Sequence, residues 1–278
     1  MTSTVAINKK KLSKRITAVV VTILLWAFAA FWFAPIFWML STSLKSTAVA
    51  VIQTPPEWIP ENPTLENYKI IFAPSGGLSL IRATLNSVIV AVGSTLATLA
   101  LSIPAAYALS RLRFRGRMLV FWIYVAVLAF PGVLFLVPHF FIIQGMGLTN
   151  SYLALILPGL GGTFGVFLFR QYMLDIPGEL EDAAWIDGCS KFRFLISIVI
   201  PYVKPAMLVL GLMTFLGSWN SFLWPLLILS KSDKFTLPIA LIRFSAGWGD
   251  PYRGIGPMMA GAFFSVAPSL IIFVVFHR

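Results

Sequence analysis

The sequence predicts an all-α polytopic membrane protein with six transmembrane helices and both termini in the cytoplasm. The 278 residues are 58% hydrophobic, and the mean hydropathy is +0.87. Only 11% are charged, against about 25% in a soluble globular domain. In a soluble protein the net charge of +11 would favour nucleic acid as a partner. In a chain this apolar it indicates basic loops beside an anionic lipid leaflet, so lipid and no nucleic acid is expected.

Six apolar runs are long enough to cross a bilayer, which takes about 20 residues. The first follows a basic N-terminus, but it is too long for the apolar region of a signal peptide and no clear cleavage site follows, so we predict an uncleaved span. The predicted spans are 16–40, 85–109, 118–143, 152–174, 206–229 and 255–276.

The distribution of Lys and Arg sets the predicted orientation. Fourteen of the 21 lie on the side that holds the N-terminus, and the positive-inside rule places that side in the cytoplasm. We therefore predict a cytoplasmic N-terminus (1–15) and a transmembrane domain (16–276), with an external loop at 41–84 and a cytoplasmic loop at 175–205. Arg170, near the end of the fourth span, is expected to extend its guanidinium to the interface.

The cytoplasmic loop predicts one short helix. Pro177 and Gly178 end the fourth span, and Glu179 to Ile186 has good helix formers with acids in the first turn. Gly188 is placed to end the helix as a C-cap. By this pattern alone, a solvated loop helix and a helix that docks a partner fit equally well.

The same loop resembles the EAA loop of permease subunits of binding-protein-dependent ABC importers. The resemblance rests on the run DAAWIDG from Asp182 to Gly188, followed after nine residues by Ile198-x-Ile200-Pro201. The Asp that precedes the Gly is similar to the carbohydrate-importer version. Two further segments, Trp219-Asn220-Ser-Phe-Leu-Trp-Pro225 and Ile36 to Lys45, resemble maltose-type permeases.

Two positions depart from the family pattern. The leading Glu of the motif is Asp182 here, with Glu181 beside it, so which acid makes the contact with the ATPase stays open. Cys189 stands after the Gly, where Ala is common.

The resemblance implies a type I-like ABC importer permease fold in the bacterial inner membrane. It implies that the loop helix sits in a cleft of a cytoplasmic ATPase dimer, which binds ATP and Mg. The expected further partners are a second homologous permease subunit and an external solute-binding protein. The residues implied in coupling to the ATPase are Glu181, Asp182, Ala183, Ala184, Asp187 and Gly188. The chain has no phosphate-binding loop of the G-x-x-x-x-G-K-[ST] type, so we expect neither catalytic residues nor a cofactor in it.

Trp219 and Asn220 are the predicted substrate contacts, with Asn86 as a weaker candidate. A Trp ring can stack on a sugar, and an amide can bond its hydroxyls. The alternative for Asn220 is a hydrogen bond between helices. Gly161 and Gly165 are spaced for a close helix contact, and Pro and Gly within the third, fourth and fifth spans predict bends near the middle of the bundle.

Other functions find less support in the sequence. A secondary transporter would normally carry membrane-buried acids, which are absent from the predicted spans. One cysteine and two histidines do not favour a structural zinc site, and the sequence shows no catalytic constellation of a membrane enzyme. Among importers, glycerol phosphate and other polar solutes compete with oligosaccharides as the cargo.

Overall fold

The computed structural model describes residues 2–46, 57–73, 79–246 and 254–276, and the regular elements in these ranges are all helical. Residues 47–56 and 74–78 of the predicted external loop lie outside the described residues, as do Arg253, His277 and Arg278. The chain divides into two compact units. The first unit joins residues 1–73 to 244–278, and the second unit is 74–243.

The α-helices are numbered in chain order. They are α1 (Thr2–Ser43), α2 (Glu66–Phe72), α3 (Leu80–Arg111), α4 (Arg117–Leu128), α5 (Leu136–Gly145), α6 (Tyr152–Ile156), α7 (Thr163–Leu174), α8 (Gly178–Ile186), α9 (Lys191–Phe194), α10 (Ile200–Tyr202), α11 (Lys204–Trp219), α12 (Leu223–Ile228), α13 (Leu237–Ala246) and α14 (Ile255–Phe276). Short 3-10 helices lie at Gly132–Phe135, Leu157–Gly161 and Ser232–Lys234, and a π-helix lies at Leu195–Val199.

In the first unit, α1 and α2 both pack against α14. The fully buried Asn67 of α2 donates hydrogen bonds to the backbone oxygens of Ser43 (2.9 Å) and Lys45 (2.7 Å), which closes the end of α1. A Cβ on Gly256 would lie 2.6 Å from the Asn67 side chain, so the glycine allows α14 to approach α2 closely. The apolar side chains of α1 from Ile16 to Phe33 are exposed, as expected of a helix that faces lipid or another subunit.

By length and composition, two helices of the described residues could cross a membrane, Lys14–Ser43 and Leu80–Arg111. The number rises to five if each of three bent helix pairs counts as one span. The bends are 98° between Arg117–Leu128 and Gly132–Gly145, 45° between Tyr152–Gly161 and Thr163–Leu174, and 75° between Lys191–Tyr202 and Lys204–Trp219.

The bounds of the helices correct two predicted spans. The run 118–143 is not one helix, because Pro131 lacks an N–H and forces the residue before it out of the helical region. The run 206–229 is interrupted after Trp219, and a separate α12 follows. Pro225 lies in the first turn of α12, where a missing N–H leaves no helix bond unmade. The bends predicted from Pro and Gly are confirmed in the third and fourth spans; in the fifth, the structure places an interruption after Trp219, and the 75° bend lies before that span, between Tyr202 and Lys204.

The second unit is built around α3, which packs against α7 and α11. One core cluster joins the C-terminal half of α3 to α7, α8 and the segment from α9 to α11. A second cluster joins Val90 of α3 to α6, α12 and α13 through residues such as Ala154, Ile228 and Ile239. The first cluster includes Ala184 of α8, the helix of the predicted cytoplasmic loop.

Gly165 lies at a close helix contact, as predicted. A Cβ there would lie 2.7 Å from Cδ2 of Leu210 on α11 and 2.8 Å from Oγ of Ser102 on α3. The expectation for Gly161 is wrong, because a Cβ at that position would meet nothing within 4 Å. Gly161 and Gly165 can therefore be compared as an open and a closely packed glycine of the same span.

Replacement of Gly165 with Val should destabilise the second unit by about 1–3 kcal/mol, because the added methyl groups overpack the junction of α3, α7 and α11. Gly161→Val is the control and should cost much less. Thermal unfolding of the detergent-solubilised protein, followed by size-exclusion chromatography, compares the two. Equal losses would show that the junction is not closely packed.

Candidate functional site

The helix predicted in the loop between the fourth and fifth spans is α8, here called the loop helix. It runs from Gly178 to Ile186, which confirms the predicted bounds to within one residue. Pro177 precedes it with an extended backbone (ψ 136°), and Glu179 and Glu181 lie in its first turn. Carboxylates at this end interact favourably with the helix dipole, so the local sequence favours the helix where it is found.

The C-terminal end of the loop helix is closed by Gly188. Its φ of +71° lies in the left-handed region, where glycine carries no Cβ penalty. The Gly188 N–H donates to the Trp185 oxygen (3.1 Å), and the Cys189 N–H donates to the Ala184 oxygen (2.9 Å). This pair of bonds is a Schellman motif, which confirms the predicted C-cap.

One face of the loop helix is packed into the second unit. Ala184 is buried, and Trp185 contacts Phe194 with 5.3 Å between ring centroids. Phe194 is fully buried and also contacts Tyr107 of α3 at 6.4 Å. Ala184 therefore belongs to the core, and the structure offers it no direct contact with a partner; its implied part in coupling to the ATPase stays a prediction.

Glu181 is also held within the chain. Its carboxylate forms an ion pair with Arg111, the last residue of α3, at 3.1 Å. No pattern in the sequence pairs Arg111 with Glu181, and the position of Arg111 at the end of an apolar run was the one available signal.

The remaining predicted coupling residues lie on the open face of the loop helix. Asp182, Ala183, Asp187 and Gly188 are all exposed. Ile186 is beside them with 86% of its surface exposed, the largest exposed fraction among the large apolar side chains that the structure describes. Of the six predicted coupling residues, Glu181 and Ala184 are therefore held inside the second unit, and the other four are exposed.

The structure does not bring the predicted substrate contacts together. Asn86 is buried and fully bonded: it donates to the oxygens of Asp233 (3.0 Å) and Phe235 (2.9 Å) and accepts from the Tyr152 hydroxyl (2.7 Å). Asn86 therefore has a structural role here and offers no polar atom to a solute.

Trp219 is 2% exposed and stacks on Phe215, so its ring does not face a cavity in this conformation. Asn220 is exposed and donates to the Leu216 oxygen of its own helix at 2.9 Å. The assignment of both residues to a substrate path stays a prediction.

An open cavity of about 790 Å³ lies elsewhere in the second unit, at the breaks of the bent helices. Its lining includes the aromatic residues Phe130, Phe135 and Trp224, and the polar residues Thr98 and His139. A smaller cavity of about 200 Å³ shares Thr98, Thr214 and Trp224 with it, and adds hydroxyl groups of Ser94, Ser218, Ser221 and Thr236. The sequence did not indicate this region.

The structure also corrects the prediction that Arg170 extends its guanidinium to the membrane interface. It is 8% exposed, donates from Nε to the Leu109 oxygen (3.3 Å), and lies 3.8 Å above the Phe121 ring. Instead of reaching the interface it joins α7 to α3 and α4. In the ranges that the structure describes, no group of three or more His, Cys, Asp or Glu side chains is placed to hold a metal ion.

The sequence and its structure were compared with known proteins. Residues 98–278 match the family model of the binding-protein-dependent transport system inner membrane component. The chain belongs to this family. Its members are transport components of the inner membrane, so the loop helix described above is part of a permease subunit and not of an enzyme.

Two permeases illustrate the relationship. The arabinooligosaccharides transport system permease protein AraQ of Bacillus subtilis is 33% identical over 88% of this chain and 85% of its own length. The sn-glycerol-3-phosphate transport system permease protein UgpE of Brucella melitensis is 32% identical over 88% and 87%.

The fold agrees with solved permeases. A chain of a bacterial ABC transporter involved in the import of the acidic polysaccharide alginate superimposes with a TM-score of 0.80 and 25% identity, over 95% of this chain and 96% of that one. A second structure, of the alginate ABC transporter with a periplasmic protein that carries an alginate pentasaccharide, superimposes with a TM-score of 0.65 and 16% identity, over 95% and 93%. The permease has the ABC importer fold.

Gly188→Ala should open the C-terminal end of the loop helix, because a Cβ in the left-handed region costs about 1 kcal/mol. Trypsin should then cleave the native protein after Lys191 and Arg193 about five-fold faster. Gly178→Ala is the control, since Gly178 has no positive φ and its Cβ would meet nothing. Equal cleavage rates in the two variants would contradict the role of Gly188.

Proposed function

We propose that this chain is one of two homologous permease subunits of an ATP-driven importer, and that the importer carries a carbohydrate into the cytoplasm. The observation that carries the proposal is the open face of the loop helix. It lies within an EAA-type motif, in a chain of the permease family. An ATPase dimer with ATP and Mg would bind this face, because the chain has no phosphate-binding loop of its own.

The exposed loop-helix residues fit such a contact. Ile186 offers an apolar side chain that a cleft would bury, and Asp182 and Asp187 offer carboxylates on either side of it. An apolar anchor with a charged rim is the usual composition of a protein interface. With Glu181 occupied by Arg111, Asp182 is the better candidate for the acid that meets the ATPase.

The helices support six spans with both termini in the cytoplasm. Counting the two long helices, the three bent pairs and α14 gives six. The 22 residues of α14 extend about 33 Å as an α-helix, slightly more than the hydrocarbon core. In this topology only the second half of the third pair, Lys204–Trp219, lies in the membrane. The proposed bounds are then a cytoplasmic end at 1–15, a membrane domain at 16–276, an external loop at 41–84 and a cytoplasmic loop at 175–205.

An external solute-binding protein is the remaining proposed partner. The alginate transporter, which shares this fold, has been captured with a periplasmic protein that carries its sugar. For the present chain such a protein would deliver the cargo on the external side, and the loop helix would receive work from the ATPase on the other. ATP-driven closure of the ATPase dimer would move the loop helix and, with it, the spans.

The cavity favours a carbohydrate over a phosphate ester. None of the residues that the structure places around the 790 Å³ cavity is Lys or Arg, whereas a phosphate group is normally met by cationic side chains. Aromatic rings and hydroxyl groups, which the two cavities do provide, suit the apolar faces and hydroxyls of a sugar.

Asp182→Lys should reduce co-purification of the permease with its ATPase by about ten-fold, because it reverses a charge at the proposed contact. Asp175→Lys is the charge-matched control: Asp175 is an exposed acid at the end of α7, outside the loop helix. Undiminished binding by Asp182→Lys, or the same loss in both variants, would contradict docking at this face.

Cells that express the importer should take up a labelled arabino-oligosaccharide. Unlabelled sugars should reduce this uptake, and unlabelled sn-glycerol-3-phosphate should not. The reason is that neither Lys nor Arg is among the residues that the structure describes around the cavity. Cells with Asp182→Lys provide the background rate. Uptake of glycerol phosphate alone would show that the carbohydrate assignment is wrong while leaving the importer assignment intact.

A further inference from the structure

One cation joins three helices at an end of the second unit. The guanidinium of Arg111 extends from the C-terminus of α3 into the turn between α7 and the loop helix. Its Nη1 contacts the Glu181 carboxylate at 3.1 Å, and its Nη2 donates to the Ile176 oxygen at 2.6 Å. The Met173 oxygen accepts from Nε at 3.1 Å and also from Nη2. Four bonds from one side chain thus reach the end of α7 and the start of the loop helix.

The environment makes these bonds strong. The side chains of Arg111 and Glu181 are only 11% and 20% exposed, so water does little to screen them. The carbonyl oxygens of Met173 and Ile176 lie at and just beyond the C-terminal end of α7, where the helix dipole is negative and attracts a cation. A planar guanidinium can bond a carboxylate and backbone carbonyls at once, which an ammonium cannot do with the same geometry.

The neighbouring arginines are placed differently. Arg113 and Arg115 are exposed, and Arg117 donates to the oxygens of Ser110 (3.4 Å) and Leu112 (3.1 Å) in its own segment. The loop helix is otherwise tied to α7 by only three residues, 175–177, and to the core by Ala184 and Trp185. Among the residues that the structure describes, Arg111 is therefore the polar link from the loop helix to α3.

We propose that Arg111 is a positioning residue for energy coupling, which makes the loop helix move with α3 and α7 as one body. The proposal rests on the proposed function, in which an ATPase displaces the loop helix. Without the Arg111 bonds, a push on the loop helix would be absorbed by the short connector instead of reaching the spans. Glu181 then acts within the permease, and the contact with the ATPase is left to the exposed residues.

Cys189 gives a readout that needs no partner. It is the single cysteine of the chain, and it follows the loop helix directly and packs against the core cluster. In the detergent-solubilised protein, Arg111→Gln and Glu181→Gln should each raise the rate of maleimide labelling of Cys189 about five-fold, because the loop helix opens more often. Arg113→Gln is the matched control and should leave the rate unchanged.

The intact importer, reconstituted in proteoliposomes with its ATPase and binding protein, tests the coupling itself. Arg111→Gln should leave co-purification of the ATPase unchanged but lower the solute imported per ATP hydrolysed about ten-fold, since one partner of a shielded ion pair is lost. Adding Glu181→Gln to Arg111→Gln should cause little further loss, because both residues belong to one contact. If Arg111→Gln folds poorly, Arg111→Lys is the second variant. It keeps the positive charge but lacks the planar guanidinium, and it should give an intermediate ratio of solute imported to ATP hydrolysed.

Unchanged labelling of Cys189 and an unchanged ratio of import to hydrolysis in both variants would overturn the proposal. So would a loss of ATPase binding in Glu181→Gln that Arg111→Gln does not share, because Glu181 would then contact the ATPase directly. If the importer assignment itself is wrong, the unmodified permease will bind no ATPase. The labelling of Cys189 will still show whether Arg111 holds the loop helix in place.

Discussion

The anchorage of one nine-residue helix is the constraint on which the proposed coupling in this permease depends. The loop helix presents Asp182, Ile186 and Asp187 outward only because Ala184 and Glu181 are held inward, by an apolar cluster and by an arginine. A charge with little access to water must be paired, so Glu181 and Arg111 restrict each other's position. Apolar packing alone is less directional, and the ion pair therefore adds orientation to the burial that the cluster supplies.

The bent helices serve a different purpose from the anchorage. A broken helix exposes backbone carbonyls, which membrane proteins tolerate where the break lines a cavity. Here the breaks around Pro131 and Gly162 both border the same open cavity. The second unit thus combines a rigid end, where α3, α7 and the loop helix are fastened together, with an irregular region that can accommodate a solute.

Features set by neighbouring residues could be predicted from the sequence. Pro177, the acids of the first turn and Gly188 define the loop helix, because helix starts and stops depend on residues within one turn. The Pro and Gly positions likewise predicted the bends. The family resemblance, carried by the run from Asp182 to Gly188, predicted the permease fold that the structural comparison supports.

Features that depend on residues far apart in the chain could not be predicted from the sequence. Arg111 meets Glu181 across 70 positions, and Asn86 bonds the Phe235 oxygen across 149. Hydrophobic periodicity indicates which face of a helix is buried, but it does not identify the partner of a polar side chain. For that reason Asn86 was predicted to face a solute and instead bonds backbone oxygens inside the second unit, and Arg170 was predicted to reach the interface and instead packs on Phe121.

Solute uptake by proteoliposomes that contain the complete importer, measured with and without its ATPase and with and without ATP, tests the coupled import most directly. If the loop helix transmits work from the ATPase, uptake against a gradient occurs only when the ATPase and ATP are both present. Uptake at full rate by the permease subunits alone would contradict the proposed coupling.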